Sequence, residues 1–276
     1  MVKSKMELSY FSKSTAGFSH TKLGKPCQDF SASYRDEEKI VVTACDGHGG
    51  NMYVRSGLGS KFASDAVMRV FSTLDETLFL RYTKEELIEK LRLNILCEWN
   101  ALVENDIFSS PIRKKEFRRL SEQDKISLKA DAIKAYGTTL NGAAAIGGKL
   151  VCVSLGDGGV FLIQDGAATP AFEDDDEPVA NITHSMCQED AYNHLKAEIF
   201  DFNDFDGVFL CTDGLLNPYG SLSNFSDSLV MPTVKKCREG KMPEIAEFVN
   251  RLGAEIGTGD DVSLSFILKP EEREGN

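Results

Sequence analysis

Several apolar, strand-like runs of this 276-residue chain adjoin acidic turns, and this pattern constrains the fold most. IVVTAC is followed by DGHGG at residues 46–50, GVFLC is followed closely by Asp213, and Asp260 precedes VSLSFIL. A carboxylate at the end of a buried strand is held by the sheet and stays open to solvent. Such oxygen atoms suit a hard divalent cation. The sequence therefore predicts strands whose ends collect carboxylates around metal ions.

The plain alternative is that each Asp-Gly pair is a hairpin turn, because glycine adopts positive φ and aspartate tolerates it. We assign Asp165-Gly166 to such a turn. The DGHGG sequence differs, since a hairpin needs neither a glycine cluster nor a histidine. It therefore calls for a chemical interpretation.

Composition and charge limit the class of protein. With 42% hydrophobic residues and no linker, residues 1–276 are expected to form one domain with a sizeable core. The net charge of -12 argues against nucleic acid or a membrane as partner. The chain shows neither a secretory signal nor an uncharged run that could cross a bilayer, which predicts a cytoplasmic protein. Seven cysteines without C-x-x-C spacing indicate neither a disulfide framework nor a zinc site.

Hydrophobic periodicity predicts a mixed, α+β chain. Four-residue spacing of apolar residues predicts helices over Val54–Val70 and Leu87–Val103. A third helix is predicted from Pro243, with a buried face that reaches Ile256 and an end at Gly257. Two packed, mainly antiparallel sheets covered by helices fit this order better than βαβ alternation. Strands are predicted near residues 6–12, 28–34, 39–45, 137–146, 149–155, 159–164, 206–212 and 261–268.

Two segments are expected at the periphery. Residues 104–135 include PIRKKEFRRLSEQDKISLKADAIK, whose dense mixed charge and sparse apolar residues predict a charged helical surface insertion. Plain surface is the favoured interpretation, and a docking site for a partner that seeks basic residues is the alternative. FEDDDEPVAN, at residues 172–181, is interpreted as an acidic surface turn.

Six motifs in a fixed order carry a resemblance to a known family. They are CQDF, VVTACDGHGG, YGTTL, SLGDGGVFLI, GVFLCTDGLLN and GTGDDVSLSFI. Over nearly its whole length the chain resembles the metal-dependent Ser/Thr phosphatases of the protein phosphatase 2C family. The GKPCQDF and YGTTL sequences are most similar to those of the bacterial-type branch. An ordered set of six motifs is far more specific than any one of them.

The resemblance implies a four-layer α-β-β-α sandwich of two mainly antiparallel sheets flanked by helices. It also implies two manganese or magnesium ions in a cleft at one end, with a possible weak third ion. Asp46 would bridge the two ions. The other ligands would be the Gly47 carbonyl, Asp213 and Asp260, with Asp29 acting directly or through water.

Some positions bear on the third ion and on the substrate. Asp157 matches a position that helps to bind the third ion in some relatives, and a tight-turn role is the alternative. Asn217 stands where many members have an aspartate for that ion. Residues 217–231 match a variable flap beside the cleft, which makes this segment the candidate determinant of substrate choice.

Two departures from the family pattern concern metal and phosphate binding. Gln28 replaces a glutamate of many relatives and is expected in a supporting role, since it keeps an oxygen acceptor but removes a charge. Gly24 stands where eukaryotic members have a phosphate-binding arginine. Lys22 and Lys25 are the nearby substitutes, and each offers a point charge rather than a guanidinium fork.

His48 is the candidate catalytic residue. Oxygen ligands favour magnesium or manganese over zinc, and a pair of such ions activates water and holds phosphoryl oxygens. His48, two residues after Asp46, is the histidine placed to protonate a serine or threonine leaving group, and a structural role is its alternative. Three other histidines have no such context, and of these His20 is expected at the surface, with the edge of the cleft as the alternative.

The expected function is hydrolysis of phosphoserine and phosphothreonine in phosphorylated proteins, including kinase-regulated ones, by metal-activated water, a role in signalling. The alternative is an inactive pseudophosphatase that binds a phosphoprotein or a kinase. Crowded carboxylates argue against a scaffold, because their repulsion destabilises the fold.

The motifs of rival chemistries are absent. The sixth position after Cys45 and after Cys211 is asparagine, not the arginine of cysteine-dependent phosphatases. AAAIGGKL lacks the first glycine and the Ser/Thr of a P-loop. DFDG, unlike the motif of aspartyl-phosphate hydrolases, precedes an apolar strand instead of ending one.

Overall fold

The computed structural model describes residues 8–173, 183–254 and 257–271. Within these ranges, ten strands form two antiparallel five-stranded sheets. The first sheet has the order β1-β10-β9-β6-β7 and the second has the order β2-β3-β4-β5-β8. The strands are β1 (Ser9–Thr15), β2 (Phe30–Arg35), β3 (Lys39–Cys45), β4 (Leu140–Ile146), β5 (Lys149–Leu155), β6 (Gly159–Gln164), β7 (Ala167–Pro170), β8 (Lys196–Asp201), β9 (Gly207–Cys211) and β10 (Val262–Leu268).

Helices cover the outer face of each sheet. The longest begins at a capping box, in which Thr83 and Glu86 each satisfy a backbone N–H of the other. The α-helices are α1 (Phe18–Lys22), α2 (Ser56–Ser72), α3 (Leu78–Arg81), α4 (Lys84–Ser109), α5 (Glu122–Ala130), α6 (Ala191–His194), α7 (Asp213–Leu216), α8 (Leu222–Phe225), α9 (Met231–Arg238) and α10 (Met242–Leu252).

Three separate apolar clusters show the layer order. One lies between the second sheet and helices α2 and α4, and includes Phe71 and Trp99. A second lies between the two sheets and includes Val42 and Leu210. The third lies between the first sheet and helices α7 to α10. This order confirms the predicted four-layer α-β-β-α sandwich.

The predicted bounds of the strands and helices agree best with the structure where the strands are buried. Strands β3, β5 and β6 have the predicted bounds. Strands β7 and β8 were missed because both lie at sheet edges and neither contains a buried apolar run. Residues 137–139 precede β4 instead of belonging to it. The last helix ends at Leu252, so the predicted end at Gly257 is wrong. Ile256, residues 6–7 and residues 174–181 of the predicted acidic turn lie outside the described residues.

Helix α2 presents a different face to the core than its periodicity predicts. Leu58 belongs to the predicted stripe but is 39% exposed. The buried face carries small residues, among them Gly59 and Ala63, which allow close packing against α4 and the segment before β4. The Gly59 carbonyl accepts a hydrogen bond of 3.1 Å from Trp99 Nε1. This contact joins the two long helices over the second sheet.

Residues 104–135 contain the end of α4, a turn segment at 114–119, α5 and a 3-10 helix at Ala132–Tyr136. Leu120 and Leu128 are buried in the cluster beneath α2 and α4. The segment is therefore anchored in the core, although its charged side chains are exposed. Within the described ranges, none of the helices combines the length and apolar content needed to span a bilayer.

We predict that Gly59→Ala destabilises the fold. A Cβ at this position would lie 2.0 Å from the Tyr136 carbonyl oxygen, so α2 would have to move. We expect the free energy of unfolding to fall by about 3 kcal/mol in urea titrations followed by circular dichroism. Gly57→Ala in the same helix is the matched control, because its Cβ would make an ordinary 3.4 Å contact. Equal midpoints for the two variants would contradict this packing.

Candidate metal centre

Strand ends from both sheets meet at one end of the sandwich. Asp29 precedes β2 and Asp46 follows β3, and the register pairs Phe30 with Cys45 between them. In the first sheet, Cys211 at the end of β9 pairs with Gly159 of β6 and with Leu264 of β10. The turns that hold the acidic residues therefore converge at this end, because each adjoins one of these strand ends.

Three carboxylates form the centre of this cluster. Asp46, Asp157 and Asp213 each offer an oxygen atom, and these atoms lie within 4.8 Å of one another. Asp157 is exposed, whereas the other two are half-buried. Asp260 is exposed and close enough to Asp213 for its charge to raise the pKa of that carboxyl. The structure thus brings together aspartates that lie far apart in the sequence.

The YGTTL motif holds the backbone of Asp46 in place. The Asp46 carbonyl accepts hydrogen bonds from the Thr139 N–H at 2.8 Å and from Thr138 Oγ1 at 2.7 Å. The Asp46 N–H donates to Thr139 Oγ1 at 3.0 Å. Gly47 follows in a space without room for a side chain, since a Cβ would lie 2.5 Å from the Gln28 carbonyl oxygen. Two sequence motifs therefore interlock to position one carboxylate.

Burial and mutual repulsion raise the pKa values of the clustered carboxyls. Burial raises the pKa of Asp46 well above its usual value, and the charges of Asp29 and Asp213 add to this. Burial raises the pKa of Asp29 to about 7, although a hydrogen bond from Thr212 Oγ1 at 2.8 Å opposes the shift. The pKa of Asp213 is raised by burial and by Asp157. A bound cation would favour the ionised form of these carboxyls and so oppose the raised pKa values.

The donor set fits a divalent metal ion. Asp29 is 5% exposed, and its Oδ1 atom has no hydrogen-bond partner within the described part of the chain. A buried carboxylate oxygen without a partner is costly, and a cation or its bound water would satisfy it. All the clustered side-chain donors are oxygen atoms, which suits magnesium or manganese. Asp29 and the three central aspartates are therefore the residues that would hold the metal.

Asp261 is buried and has a structural role, unlike its exposed neighbour Asp260. It is 5% exposed and accepts hydrogen bonds from the Gly17 N–H at 2.7 Å and the Gln28 N–H at 2.6 Å. The His20 ring nitrogen Nδ1 lies 2.9 Å from Asp261 Oδ2, the oxygen that also accepts the bond from Gln28. The His20 side chain is only 13% exposed, so its predicted surface position is wrong. Asp261 anchors the chain just before Asp29, a role that its sequence alone does not reveal.

His48 lies beside the cluster against an aromatic ring. Its imidazole packs edge-on against Tyr53, with ring centroids 4.9 Å apart. The backbone N–H of His48 donates to the Gly137 carbonyl at 3.1 Å. Burial lowers the pKa of His48, and the charge of Asp157 opposes this shift. A phosphate dianion bound nearby would raise the pKa again, because it stabilises the imidazolium form.

Gln28 connects the loops on either side of the cluster. Its Nε2 atom donates to the His48 carbonyl at 3.3 Å and also to Ser56 Oγ. Its Oε1 atom is buried and has no hydrogen-bond partner among the described residues. The side chain thus supports the DGHGG loop and leaves one buried acceptor, which a bound water would satisfy.

Two predicted lysines are exposed, whereas Asn217 contacts the carboxylate cluster. Lys22 is exposed on α1, with its Nζ atom 5.9 Å from the centroid of the Phe18 ring. Lys25 is exposed in the loop before Asp29. Asn217 Nδ2 donates to Asp213 Oδ2 at 3.1 Å. Its amide therefore supports a central carboxylate instead of adding another negative charge.

A family model described as protein phosphatase 2C matches residues 16–250. This span covers most of the chain and contains the converging aspartates Asp29, Asp46, Asp157 and Asp213. The chain belongs to the protein phosphatase 2C family. No curated protein matches its sequence significantly.

Solved structures of bacterial phosphatases share its fold. The catalytic domain of the Ser/Thr phosphatase PstP, in complex with two manganese ions, is 17% identical, with a TM-score of 0.56 and coverage of 96% of this chain and 99% of that one. PppA of Pseudomonas aeruginosa, described as a key regulatory component of T6SS, is 18% identical, with a TM-score of 0.58 and coverage of 95% and 97%. The S. agalactiae Ser/Thr phosphatase is 16% identical, with a TM-score of 0.59 and coverage of 96% and 99%. At these identities the likeness establishes the fold.

We predict opposite effects of Asp46→Asn on the metal-free and the metal-loaded protein. With a chelator at pH 8, the variant should melt roughly 3 °C higher than the wild type, because one repelling carboxylate is removed. With manganese, the wild type should gain thermal stability and the variant should not. Differential scanning calorimetry measures both effects, and exposed Asp204→Asn is the control. An equal manganese shift in wild type and variant would exclude Asp46 as a ligand.

Proposed function

We propose that this family member is an active metal-dependent protein phosphatase that hydrolyses phosphoserine and phosphothreonine. The convergence of Asp46, Asp157 and Asp213 at the strand ends carries this proposal. When bound there, two divalent ions, manganese or magnesium, would activate water and neutralise charge on the phosphoryl group. Asp29 and Asp260 would complete the ligand set, and the Gly47 carbonyl would add a backbone oxygen.

Three side chains near the cluster would assist catalysis and substrate binding. With a phosphate dianion bound, His48 would hold a proton near the cluster and deliver it to the departing serine or threonine oxygen. Gln28 would support the DGHGG loop through the bond from its Nε2 atom to the His48 carbonyl. Lys25 supplies a positive charge at the approach to the site, where a phosphate dianion would enter. Lys22 and a weak third ion near Asp157 stay predictions.

A second candidate function is that of an inactive phosphoprotein-binding module. Gly24 in place of arginine and neutral Gln28 favour it, because both weaken the positive field on phosphate. The raised pKa values of Asp29, Asp46 and Asp213 favour the enzyme, since a scaffold gains nothing from carboxylates that repel one another.

The predicted flap at residues 217–231 has two parts. Phe225, Leu229 and Val230 are fully buried in the core of the first sheet. Leu222 instead lines a groove of about 920 Å³ together with Asp157, beside the cluster. We therefore assign substrate selection to the part of the flap around Leu222, which lines this groove.

A reducing compartment such as the cytoplasm suits this protein. All seven cysteines are unpaired. Burial raises the pKa of six of them, Cys27, Cys45, Cys152, Cys187, Cys211 and Cys237, which keeps these thiols protonated.

Removal of Asp213 should abolish turnover. We expect the wild type to hydrolyse p-nitrophenyl phosphate and a phosphoserine peptide with manganese, and Asp213→Asn to lower kcat/KM roughly 100-fold or more on both. Exposed Asp204→Asn should behave like the wild type. No wild-type turnover with any divalent metal would leave the binding module as the function.

Replacement of His48 should affect the hydrolysis of two substrates differently, because their leaving groups differ in their need for a proton. A serine alkoxide needs a proton to depart, whereas nitrophenolate leaves without one. We expect His48→Asn to reduce kcat on the phosphoserine peptide roughly 100-fold and on p-nitrophenyl phosphate less than about tenfold. The manganese-induced melting shift should be retained, which separates this effect from lost metal. Equal losses on both substrates would contradict the assigned proton transfer.

A further inference from the structure

A second groove of about 520 Å³ opens beside the metal centre, on the side of the DGHGG loop. One wall consists of Gln28 and the loop at Gly49–Asn51. The opposite wall is the turn segment of the surface insertion. Since Gln28 also contacts the His48 carbonyl, the groove and the candidate active site share a wall.

The groove is basic in a protein whose net charge is -12. Lys25, Lys115, Arg118 and Arg119 line it, and all four are exposed. Within the described residues, none of these four forms an ion pair with a carboxylate. Glu116 is the one acidic residue that lines the groove in the described part of the chain. The positive charge is therefore concentrated at the mouth of the site.

Arg55 neutralises Glu116 and fixes the basic wall. It is 8% exposed, and its Nε and Nη2 atoms donate to the two Glu116 carboxylate oxygens at 2.9 and 3.3 Å. Its Nη1 atom donates to Asp106 at 3.0 Å, to the Ser110 carbonyl at 2.7 Å and to Tyr136 at 2.6 Å. A bidentate, buried arginine holds its partner in one orientation. The groove-lining cations thus sit on a rigid support.

We propose that the basic groove binds acidic side chains that flank the phosphorylated residue of the substrate, so that the enzyme prefers acidic phosphopeptides. This inference rests on the proposed function, because it names the substrate class of the same site. Unpaired cations at the mouth of a site attract carboxylates of a peptide whose phosphate approaches the metal centre. The net negative charge of the rest of the protein repels such peptides and leaves the groove as their entry.

The test compares two short peptides that carry a non-hydrolysable phosphonate in place of phosphoserine. One has Asp and Glu on both sides and the other has Asn and Gln. Fluorescence anisotropy with manganese-loaded full-length protein should show about tenfold tighter binding of the acidic peptide, a preference that added salt reduces. R118Q/R119Q should remove most of this preference.

R113Q/K114Q is the matched control. It removes two positive charges from the same segment, but neither residue lines the groove, and the bond from the Arg113 N–H to Glu116 is retained. This control should keep the preference for the acidic peptide. Equal affinity of the wild type for both peptides, or an equal loss in both double variants, would overturn the proposal.

Two further outcomes distinguish a failure of the proposed function from a failure of the groove assignment. If the wild type prefers the acidic phosphonate but hydrolyses no phosphopeptide, the proposed function fails and the groove assignment stands. If a single-stranded oligonucleotide of equal charge binds more tightly than the acidic peptide, the groove is a nucleic-acid site and the proposal is overturned.

Discussion

Repulsion among carboxylates at one end of the sandwich is the constraint on which the rest of this structure depends. Asp46, Asp157 and Asp213 come from turns of both sheets, and each position is set by the pairing of neighbouring strands. The fold holds them together through bonds at their backbones and flanks, such as those from Thr138 and Thr139 to Asp46. The sheets thus store unfavourable electrostatic energy at the place where a divalent cation would relieve it.

Much of the fold could be predicted because buried strands and amphipathic helices leave strong periodic signals. Strand β3 and the stripe from Leu87 to Val103 are examples, since all their apolar residues face a core. The edge strands β7 and β8 could not be found, because their exposed faces carry no such pattern. The buried face of α2 was predicted wrongly, because Leu58 fits the apolar periodicity but is exposed. The face that contacts the core is made of small residues, and their low hydrophobicity gives no sign that two backbones pack closely there.

Some residues of the candidate site could likewise be predicted from the sequence, and others could not. Its aspartates could be predicted from motifs at strand ends, and the structure brings Asp46, Asp157 and Asp213 together. Asp260 was predicted as a ligand, but the anchoring role of Asp261 could not be predicted, because nothing in the motif indicates which of two adjacent aspartates accepts backbone N–H bonds. The Arg55 network was also missed, since its partners lie 51, 61 and 81 positions away in the chain. A signal did exist, namely an arginine at the start of a helix after the DGHGG loop.

The Arg55 side chain ties the insertion to the beginning of α2, only a few residues beyond the DGHGG loop. Anything that stiffens one of these two segments restricts the other through this single guanidinium. Thermodynamic linkage is reciprocal, so a change in metal affinity caused by an occupied groove must be matched by an equal factor in peptide affinity when metal binds. If the groove and the metal centre bind as proposed, variation in the insertion would change metal affinity without altering any carboxylate.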